Sequence, residues 1–422
     1  MMEQNKKKGI PIGQEDFKRI INEGCYFVDK TLLIKEVLES KAQTTLLTRP
    51  RRFGKTLNLS MLRRFFEDER TPHGEKIDNG YLFDHIPISI YGDTIPEHQQ
   101  QYPVIALSLK SAKQPSYLLA YTMLKNEIIG EFKRHAYILS ENILSETEKE
   151  KYRAILAEKE DERLYIDAIR FLSECLARCH GKNVFILIDE YDVPLESAYF
   201  EGFYDQMTAF IRSLFESALK TNPYLEKGIV TGCLRISRES IFTGLNNLEI
   251  HSIISPYYSD KFGFTAKEAE ALLVYYGLSE KYPEMQRWYD GYRFGKTEIY
   301  NPWSILNYIK MALADPETFP KPYWSNTSSN SIIRELVDNA DEETRAELEI
   351  LMDGGTIEKP VHEEITYGDI HTTKDNLWNF DQKIEKLDRS PLMKALEEGD
   401  CETVECFLFF QKECIVMEGA AD

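Results

Sequence analysis

Eight residues near the N-terminus have the types and the order that bind the phosphates of a nucleotide. The segment RPRRFGKT, residues 49–56, matches the last three positions of the phosphate-loop pattern G-x-x-x-x-G-K-[ST] and has Arg49 in place of the first glycine. In that pattern Gly54 lets backbone N–H groups approach phosphate oxygens, Lys55 bridges the β- and γ-phosphates, and Thr56 offers its hydroxyl to Mg²⁺. The alternative for so short a match is a basic surface turn. The loop residues expected to contact a nucleotide are Arg51, Arg52, Phe53, Gly54, Lys55, Thr56 and Leu57.

A second set of chemically active residues ends the apolar segment FILIDEYD. A buried strand that ends in Asp189 and Glu190 is what a magnesium-dependent nucleotide hydrolase requires. Asp189 would hold Mg²⁺, directly or through water, and Glu190 would orient or deprotonate the attacking water. The alternative is a strand that ends in solvated acids. Because the phosphate loop and the acidic pair occur in one chain, we predict that both belong to one site for a nucleotide and Mg²⁺.

A polar residue, Thr231, ends the next predicted strand, in IVTGCLRIS. In phosphate-loop ATPases with an added strand between the two motif strands, a polar residue at this position senses the γ-phosphate, which predicts a catalytic role for Thr231. Arg235 and Arg238 follow, and either could act as an arginine finger on its own nucleotide or on that of a neighbouring subunit. Arg235 is the catalytic candidate of the two. The alternative for each is a surface salt bridge or a helix-terminal charge.

The residues around these motifs predict alternating strands and helices. The near-continuous apolar run NVFILID is typical of a strand covered on both faces, as in a parallel sheet. Strands are expected at 43–48, 102–109, 183–189, 228–233 and 248–254, and helices at 56–67, over most of 116–180, and at 205–220. This order predicts an α/β fold, a three-layer phosphate-loop NTPase domain with a mainly parallel sheet, over residues 8–255.

The pattern changes after residue 255. FTAKEAEALLVYYG predicts a helix with Thr265 at its N-cap and Gly277 near its C-cap. The aromatic segment WYDGY, residues 288–292, predicts either the core of a helical domain or a surface that binds a peptide. A second GKT tripeptide at 295–297 has no buried strand before it and predicts a turn. We expect a helical lid domain, with a winged-helix arrangement as one option, over 256–335, a helical extension over 336–385 and a separate final segment over 386–422.

Composition limits the classes of function. The net charge of −19 argues against nucleic-acid binding over the whole surface, although basic residues are concentrated around the phosphate loop. The seven cysteines include no CxxC pair, so we expect a reducing, cytoplasmic location. Cys175 and Cys179 share a predicted helix face with apolar residues, which favours core packing over a metal site. The apolar runs are too short to span a membrane, so no membrane partner is expected.

Several segments together resemble one family. TRPRRFGKTLNLSML, LIDEYDVPL, VTGCLRISRESIFTGLNN, FGFTAKEAE, WYDGYRFG and IYNPWSILNY are similar to segments of the AAA-ATPase-like proteins of bacteria and archaea. The resemblance covers residues 8–380 and includes the loop that lacks the first glycine. It implies that the nucleotide is ATP. By analogy with related ATPases, the YFVDKT segment would lie near the adenine, with Tyr26 and Phe27 as candidates for stacking and buried packing as the alternative for both.

The resemblance also implies a C-terminal domain. Members of the family carry a PD-(D/E)XK-type nuclease after the ATPase region, and LMKALEEGDCETVECFL resembles the first helices of that nuclease. The remaining residues do not supply the acidic residues and lysine that such a nuclease places on adjacent strands to bind Mg²⁺. We therefore expect residues 386–422 to be the remnant of a truncated nuclease domain, without nuclease activity.

These observations combine into one hypothesis with two alternatives. The hypothesis is an ATP-binding protein that hydrolyses ATP with Mg²⁺ and switches an attached or associated effector through its lid domain. Its partners would be the nucleotide, a protein effector or a second copy of the chain. One alternative is a nucleotide-binding scaffold without hydrolysis. The other is a nucleic-acid-binding module of a defence or mobile-element system, in which the arginines contact the nucleic-acid backbone.

Overall fold

A parallel β-sheet carries the candidate site. The computed structural model describes residues 7–86, 95–233, 241–242, 247–323, 345–347 and 349–350. Its first five strands are β1 (Thr44–Thr48), β2 (Val104–Ser108), β3 (Val184–Asp189), β4 (Leu225–Gly232) and β5 (Leu248–His251). Within the described ranges they form one five-stranded parallel sheet in the order β2-β3-β4-β1-β5. Every residue of β1 and β3 is buried, as expected for a parallel sheet covered on both faces.

Helices cover both faces of this sheet. They are α1 (Phe17–Asn22), α2 (Leu32–Glu39), α3 (Lys55–Phe66), α4 (Tyr117–Arg134), α5 (Glu146–Leu156), α6 (Glu162–Ile166), α7 (Ala168–His180), α8 (Val193–Phe200) and α9 (Tyr204–Phe215). Leu46 packs into a core with α4, α7 and α9, whereas its neighbour Leu47 packs into a second core with α2 and α3. Successive strand residues point to opposite faces, so each buried strand serves both cores. The predicted α/β fold class is confirmed.

The position of β4 decides which residues meet. β4 pairs in parallel with both β1 and β3, through Leu46 opposite Val230 and Leu187 opposite Ile229. The predicted added strand between the two motif strands is therefore present. Because the carboxyl ends of parallel strands meet at one edge of a sheet, the residues that follow β1, β3 and β4 are neighbours in space.

The chain after β5 forms a second unit, residues 256–323. It contains α10 (Ala266–Tyr276), α11 (Tyr282–Tyr289), α12 (Pro302–Ala314), β6 (Phe264–Thr265), β7 (Tyr292–Phe294) and β8 (Thr297–Tyr300). Thr265 and Glu268 form the capping box that begins α10, and Gly277 ends it with a φ of 75°. The three short strands form an antiparallel sheet in the order β6-β8-β7, which was not named in the expectation of a helical lid domain with a winged-helix arrangement as one option.

Two local predictions are confirmed by the packing. Gly295 and Lys296 of the second GKT tripeptide form the two-residue hairpin turn between β7 and β8, where Gly295 has a φ of 55°. Cys175 is fully buried in the core that covers one face of the parallel sheet. Among the described residues, no cluster of three or more His, Cys, Asp or Glu side chains could hold a metal ion by itself.

Some of the sequence predictions concern residues that the structure does not describe. The extension at 336–385 is described only at 345–347 and 349–350, and the final segment 386–422 is not described, so the truncated nuclease remains a prediction. Arg235 and Arg238 also lie outside the described residues. Over the part that is described, no helix is both long enough and apolar enough to cross a membrane.

Gly263 joins the second unit to the phosphate loop and has no room for a side chain. Its N–H donates to the carbonyl of Phe53 at 3.0 Å, and its φ is 75°. A Cβ at this position would lie 2.8 Å from Phe53 Cδ1 and 3.1 Å from the carbonyl oxygen of Tyr300, with Ile299 closer still. We predict that Gly263→Ala lowers the free energy of unfolding by about 2–5 kcal/mol, because it adds backbone strain to overpacking.

Denaturant unfolding measures this cost, and Gly24 supplies the control. Gly24 has a φ of 63°, but a Cβ there would meet nothing within 4 Å. Gly24→Ala should therefore lower the free energy of unfolding only through backbone strain, by about 1–2 kcal/mol. Equal losses for the two variants would mean that the contact between the loop and the second unit is loose.

Candidate functional site

The two sequence motifs meet at the carboxyl edge of the sheet. The loop of residues 49–54 follows β1 and leads into α3, and Asp189 and Glu190 end β3. The hydroxyl of Thr56 donates to Asp189 Oδ2 at 2.6 Å, and the hydroxyl of Thr231 donates to Asp189 Oδ1. The structure thus brings together three residues that the sequence analysis placed in one site from separate motifs.

Two residues of the loop have a left-handed backbone conformation. Gly54 precedes the first turn of α3 with a φ of 85°, and a Cβ there would have open space around it. Arg52 also has a positive φ, 70°. The N-terminus of the twelve-residue helix α3 faces the loop, and such termini favour negative charge through their unpaired N–H groups. The alternative of an ordinary basic surface turn does not fit this arrangement.

Lys55 is folded back onto the loop that contains it. Its ammonium donates to the carbonyls of Arg49 at 2.7 Å and Pro50 at 2.8 Å, and it lies 3.3 Å from Cys233 Sγ. Burial opposes the charge, but Cys233 and the carboxylates of Asp192 and Asp189 outweigh burial and raise the pKa of Lys55. The side chain is therefore a fixed positive charge, and phosphate oxygens can replace its carbonyl acceptors.

The two acids have different surroundings: Asp189 is held by hydrogen bonds, and Glu190 lines the pocket. Asp189 is buried, and besides the two threonine hydroxyls it accepts the N–H of Glu190 at 3.1 Å. Glu190 has a φ of 52°, a left-handed conformation that a non-glycine residue seldom adopts and that is often found at functional sites. Burial and the neighbouring Asp189 raise the pKa of Glu190. A carboxylate with a raised pKa is a stronger base than an ordinary glutamate, which makes Glu190 the candidate proton acceptor of this site.

The donor set fits magnesium. Thr56 and Asp189 offer a hydroxyl and a carboxylate, which are the hard oxygen ligands that Mg²⁺ prefers. Mg²⁺ is usually held by one or two carboxylates together with substrate phosphates and water rather than by a protein cage. The structure therefore fits a magnesium ion that arrives with a nucleotide, at Thr56 and Asp189.

A pocket of about 430 Å³ opens beside the loop. Its wall includes charged side chains, among them Arg51, Lys55, Lys110, Lys113 and Glu190. It also includes apolar and aromatic side chains, among them Ile12, Tyr26, Phe27, Val28, Trp303 and Leu306. Tyr26 also packs 4.7 Å from the ring of Tyr275, and Phe27 packs 5.1 Å from the ring of Phe17. Both aromatic residues of the YFVDKT segment thus combine core packing with a place in the pocket wall.

Arg49, which replaces the first glycine of the pattern, has a structural role. Its guanidinium is fully buried and donates to the carbonyls of Thr48 at 2.7 Å, His251 at 2.9 Å and Tyr258 at 3.2 Å. It also lies over the rings of Phe262 and Phe294. Burial lowers the pKa of Arg49 to about 9. Arg49 therefore ties the start of the loop to β5 and the second unit, a role that no sequence signal indicated.

Loop residues Arg51, Arg52 and Phe53 contact different neighbours. Arg51 pairs with Glu196 of α8 at 2.8 Å. The guanidinium of Arg52 stacks on Trp303 at the start of α12, 3.8 Å from the ring centroid. Phe53 is buried against Tyr292 and Phe294, with ring centroids 4.8 Å and 5.3 Å away. Arg52 and Phe53 thus link the loop directly to the second unit, while Leu57 of α3 lines the pocket.

The two arginines in the last turn of α3 form ion pairs with nearby glutamates. Arg63 pairs with Glu67 at 2.8 Å, and Arg64 pairs with Glu69 at 2.7 Å. Together with the buried Arg49 and the paired Arg51, they do not form a continuous exposed basic surface. Most of the positive charge of this arginine cluster is therefore either buried or paired with a carboxylate in the folded protein.

Sequence reasoning missed several residues of the pocket wall. Cys233 follows β4, its N–H donates to Asp192 Oδ2 at 2.8 Å, and its thiol contacts Lys55. Its position two residues after Thr231 was the available signal. Lys110 and Lys113 follow β2, the strand that pairs with β3, so the parallel order of the sheet would have placed them beside Glu190. Trp303 and Leu306 come from α12 and could be found only from the tertiary structure.

A parallel sheet of this strand order, with a phosphate loop after β1 and an acidic pair after β3, defines the class of phosphate-loop NTPase-like α/β proteins. Comparison with known families narrows this class. A family model described as a predicted AAA-ATPase matches residues 11–242, and the chain belongs to this AAA-ATPase-like family. The resemblance inferred from the motifs is thereby confirmed, and membership supports nucleotide binding in general.

One curated relative is also similar. It is an uncharacterized protein from the vnfD 5' region of Azotobacter chroococcum mcd 1, and it is 27% identical over 340 residues. The match covers 78% of this chain but only 56% of the relative. The chain thus spans little more than half the length of that protein.

Proposed function

We propose that this protein binds ATP together with Mg²⁺ and hydrolyses the bond between the β- and γ-phosphates. The observation that carries the proposal is the contact of Thr56, from the phosphate-loop helix, with Asp189, which ends β3 and also accepts from Thr231. Thr56 and Glu190 both line the pocket, and Glu190 directly follows Asp189 in the chain. A structural turn or a solvated strand end would not require these residues to converge.

Each residue has a distinct part in the proposed reaction. Thr56 and Asp189 would hold the magnesium ion, and the ion would supply positive charge that neutralises the phosphates. Lys55 transfers its hydrogen bonds from the loop carbonyls to the β- and γ-phosphates. Glu190 accepts a proton from the water that attacks the γ-phosphate in line with the leaving oxygen. Thr231 stays on Asp189 and keeps that carboxylate in one orientation.

The pocket also suggests how the nucleotide could control the second unit. The base would lie among Tyr26, Val28, Trp303 and Leu306, and the description of the family as a predicted AAA-ATPase supports adenine as that base. Arg52 on Trp303 and Phe53 on Tyr292 connect the phosphate loop to the second unit. A change at the phosphates would thus alter the position of the second unit and switch a protein effector or a second copy of the chain.

Two alternative functions make different predictions. A nucleotide-binding scaffold would bind ATP at the same site without turnover. A nucleic-acid module would bind DNA without ATP, with an affinity that falls steeply as salt rises. The burial of Arg49 and the ion pairs of Arg51, Arg63 and Arg64 count against the second alternative.

The binding step is tested by titrating a non-hydrolysable ATP analogue into the wild type, Lys55→Ala and Lys296→Ala. Lys296 belongs to the second GKT tripeptide, in the turn between β7 and β8, and provides a matched control. We expect Lys55→Ala to weaken binding by at least about a hundredfold, as the loss of a charge-assisted contact worth about 3 kcal/mol, and Lys296→Ala to bind like the wild type. Unchanged binding in Lys55→Ala would reject this loop as the site.

A further inference from the structure

Arg51, which lines the pocket, forms an ion pair with Glu196 of α8. Their closest atoms, Arg51 Nη2 and Glu196 Oε2, are 2.8 Å apart, and their side chains are 24% and 10% exposed. Arg51 shares the pocket wall with Lys55, Glu190 and Cys233. It therefore belongs to the same pocket as the residues to which the proposed function assigns the terminal phosphate.

We propose that Arg51 is the residue that distinguishes a nucleoside triphosphate from a diphosphate, and that Glu196 competes with the γ-phosphate for it. This inference rests on the proposed function. Arginine binds phosphate and carboxylate oxygens through the same planar N–H groups, so either anion satisfies its guanidinium. A diphosphate ends one phosphate earlier and leaves Arg51 on Glu196.

The surroundings allow Glu196 to release Arg51. Burial and the nearby Asp192 raise the pKa of Glu196, whereas Arg51 and Lys113 lower it. Lys113 also lines the pocket, so a second positive charge remains near Glu196 when Arg51 moves. Lys113 thus offsets part of the cost of leaving this buried carboxylate without Arg51.

The exchange would be transmitted along α8. This helix begins at Val193, three residues after Glu190, and Val193 itself lines the pocket. Glu196 lies on the first turn of the same helix. Moving Arg51 from Glu196 to the γ-phosphate thus removes a tie between the phosphate loop and α8, so the helix reports which nucleotide is bound.

The test compares the affinities for a non-hydrolysable ATP analogue and for ADP, both with Mg²⁺, by calorimetric titration. The variants are Arg51→Met, which keeps the aliphatic length, and Glu196→Gln, which keeps the shape of the side chain. Glu201→Gln, at an exposed position that ends α8, is the control. We expect Arg51→Met to lower the affinity for the ATP analogue by about tenfold or more, which is the scale of one charged hydrogen bond. The affinity for ADP should be nearly unchanged.

Glu196→Gln should act in the opposite direction. Without a competing carboxylate, affinity for the ATP analogue should rise several-fold while ADP affinity stays the same. Combining both substitutions should give the affinities of Arg51→Met alone, because Glu196 acts only through Arg51. The Glu196→Gln comparison decides the question even if Arg51→Met does not fold.

The outcomes separate this inference from the proposed function. If the wild type binds both nucleotides through Lys55 but neither variant changes the ratio of ATP to ADP affinity, the competition does not exist and the pair is structural. The same conclusion follows if Glu196→Gln still raises ATP affinity when Arg51 is absent. If the wild type binds neither nucleotide, the proposed function itself is wrong, and this inference falls with it.

Discussion

Glu190→Gln is expected to reduce ATP hydrolysis by a factor of about 10²–10⁴, the usual contribution of a general base. The amide has nearly the same size and can still hydrogen-bond to water, but it cannot accept the proton. Affinity for ATP should be nearly unchanged, because Glu190 acts in the transition state rather than in binding. Single-turnover hydrolysis and equilibrium titration measure the two effects separately.

Glu15→Gln is a matched control for this prediction. Glu15 also lines the pocket, but it is largely exposed and pairs with Lys110 at 3.4 Å. Its variant should hydrolyse ATP at close to the wild-type rate. Turnover that persists in Glu190→Gln would assign the base to another residue, and a wild type that binds ATP without turnover would favour the scaffold alternative.

The pH dependence of hydrolysis follows from the same residue. A base works in its ionised form, so its contribution is lost as the pH falls through its pKa. Because burial and Asp189 raise the pKa of Glu190, the acidic limb of the rate profile should lie above the ordinary range of a glutamate. This limb should be absent from the residual activity of Glu190→Gln.

Arg134→Met is expected to cause the largest loss of stability, about 3–5 kcal/mol. Arg134 lies at the end of α4 and pairs with both Glu131 and Glu67, and its guanidinium also donates to the carbonyl of Val104. The side chain of Glu67 is 1% exposed and that of Glu131 is 8% exposed. Removing the guanidinium leaves two buried carboxylates with too little positive charge. Chemical denaturation reports the loss directly.

An exposed pair provides the comparison for Arg134. Arg163 pairs with Asp161 at 3.1 Å, but its side chain is 89% exposed. Arg163→Met should therefore leave the free energy of unfolding nearly unchanged, because solvent screens an exposed pair. Similar losses for the two variants would show that the network around Glu67 is not a buried, mutually dependent set.

The stability loss of Arg134→Met should also depend on pH. Burial alone would raise the pKa of Glu67, but Arg134 and Arg63 outweigh burial and lower the pKa below its ordinary value of 4.5. A carboxyl group with a depressed folded-state pKa contributes stability above its unfolded pKa and loses it as the pH falls through the folded pKa. The difference between wild type and variant should therefore shrink in acid.

Local sequence patterns were sufficient for the central elements. β3 is a nearly continuous apolar run and β1 is a short run of leucines and β-branched threonines, and two catalytic candidates follow them closely, Lys55 at the start of α3 and Glu190 directly after β3. The capping box at Thr265 and the turn at Gly295 also depend on neighbouring residues alone. Such features could be predicted because the interactions that produce them span only a few positions in the chain.

The remaining features depend on distant contacts. Arg49 reaches carbonyls more than two hundred positions away, and Phe53 packs against Tyr292, so nothing near the loop indicates their roles. The strands of the second unit are too short for an alternating pattern to be distinctive. The partner of Arg51 likewise depends on how α8 approaches the loop, which the charge pattern alone does not specify.

The measurement that tests the central claim most directly is the release of phosphate from ATP by the wild type and by Lys55→Ala, each with Mg²⁺ and with a chelator. Our account predicts steady release by the wild type only when Mg²⁺ is present, and release at the background rate by Lys55→Ala in both conditions. Equal release by the two proteins would contradict the claim that the loop around Lys55 and the acids that end β3 form the site of hydrolysis.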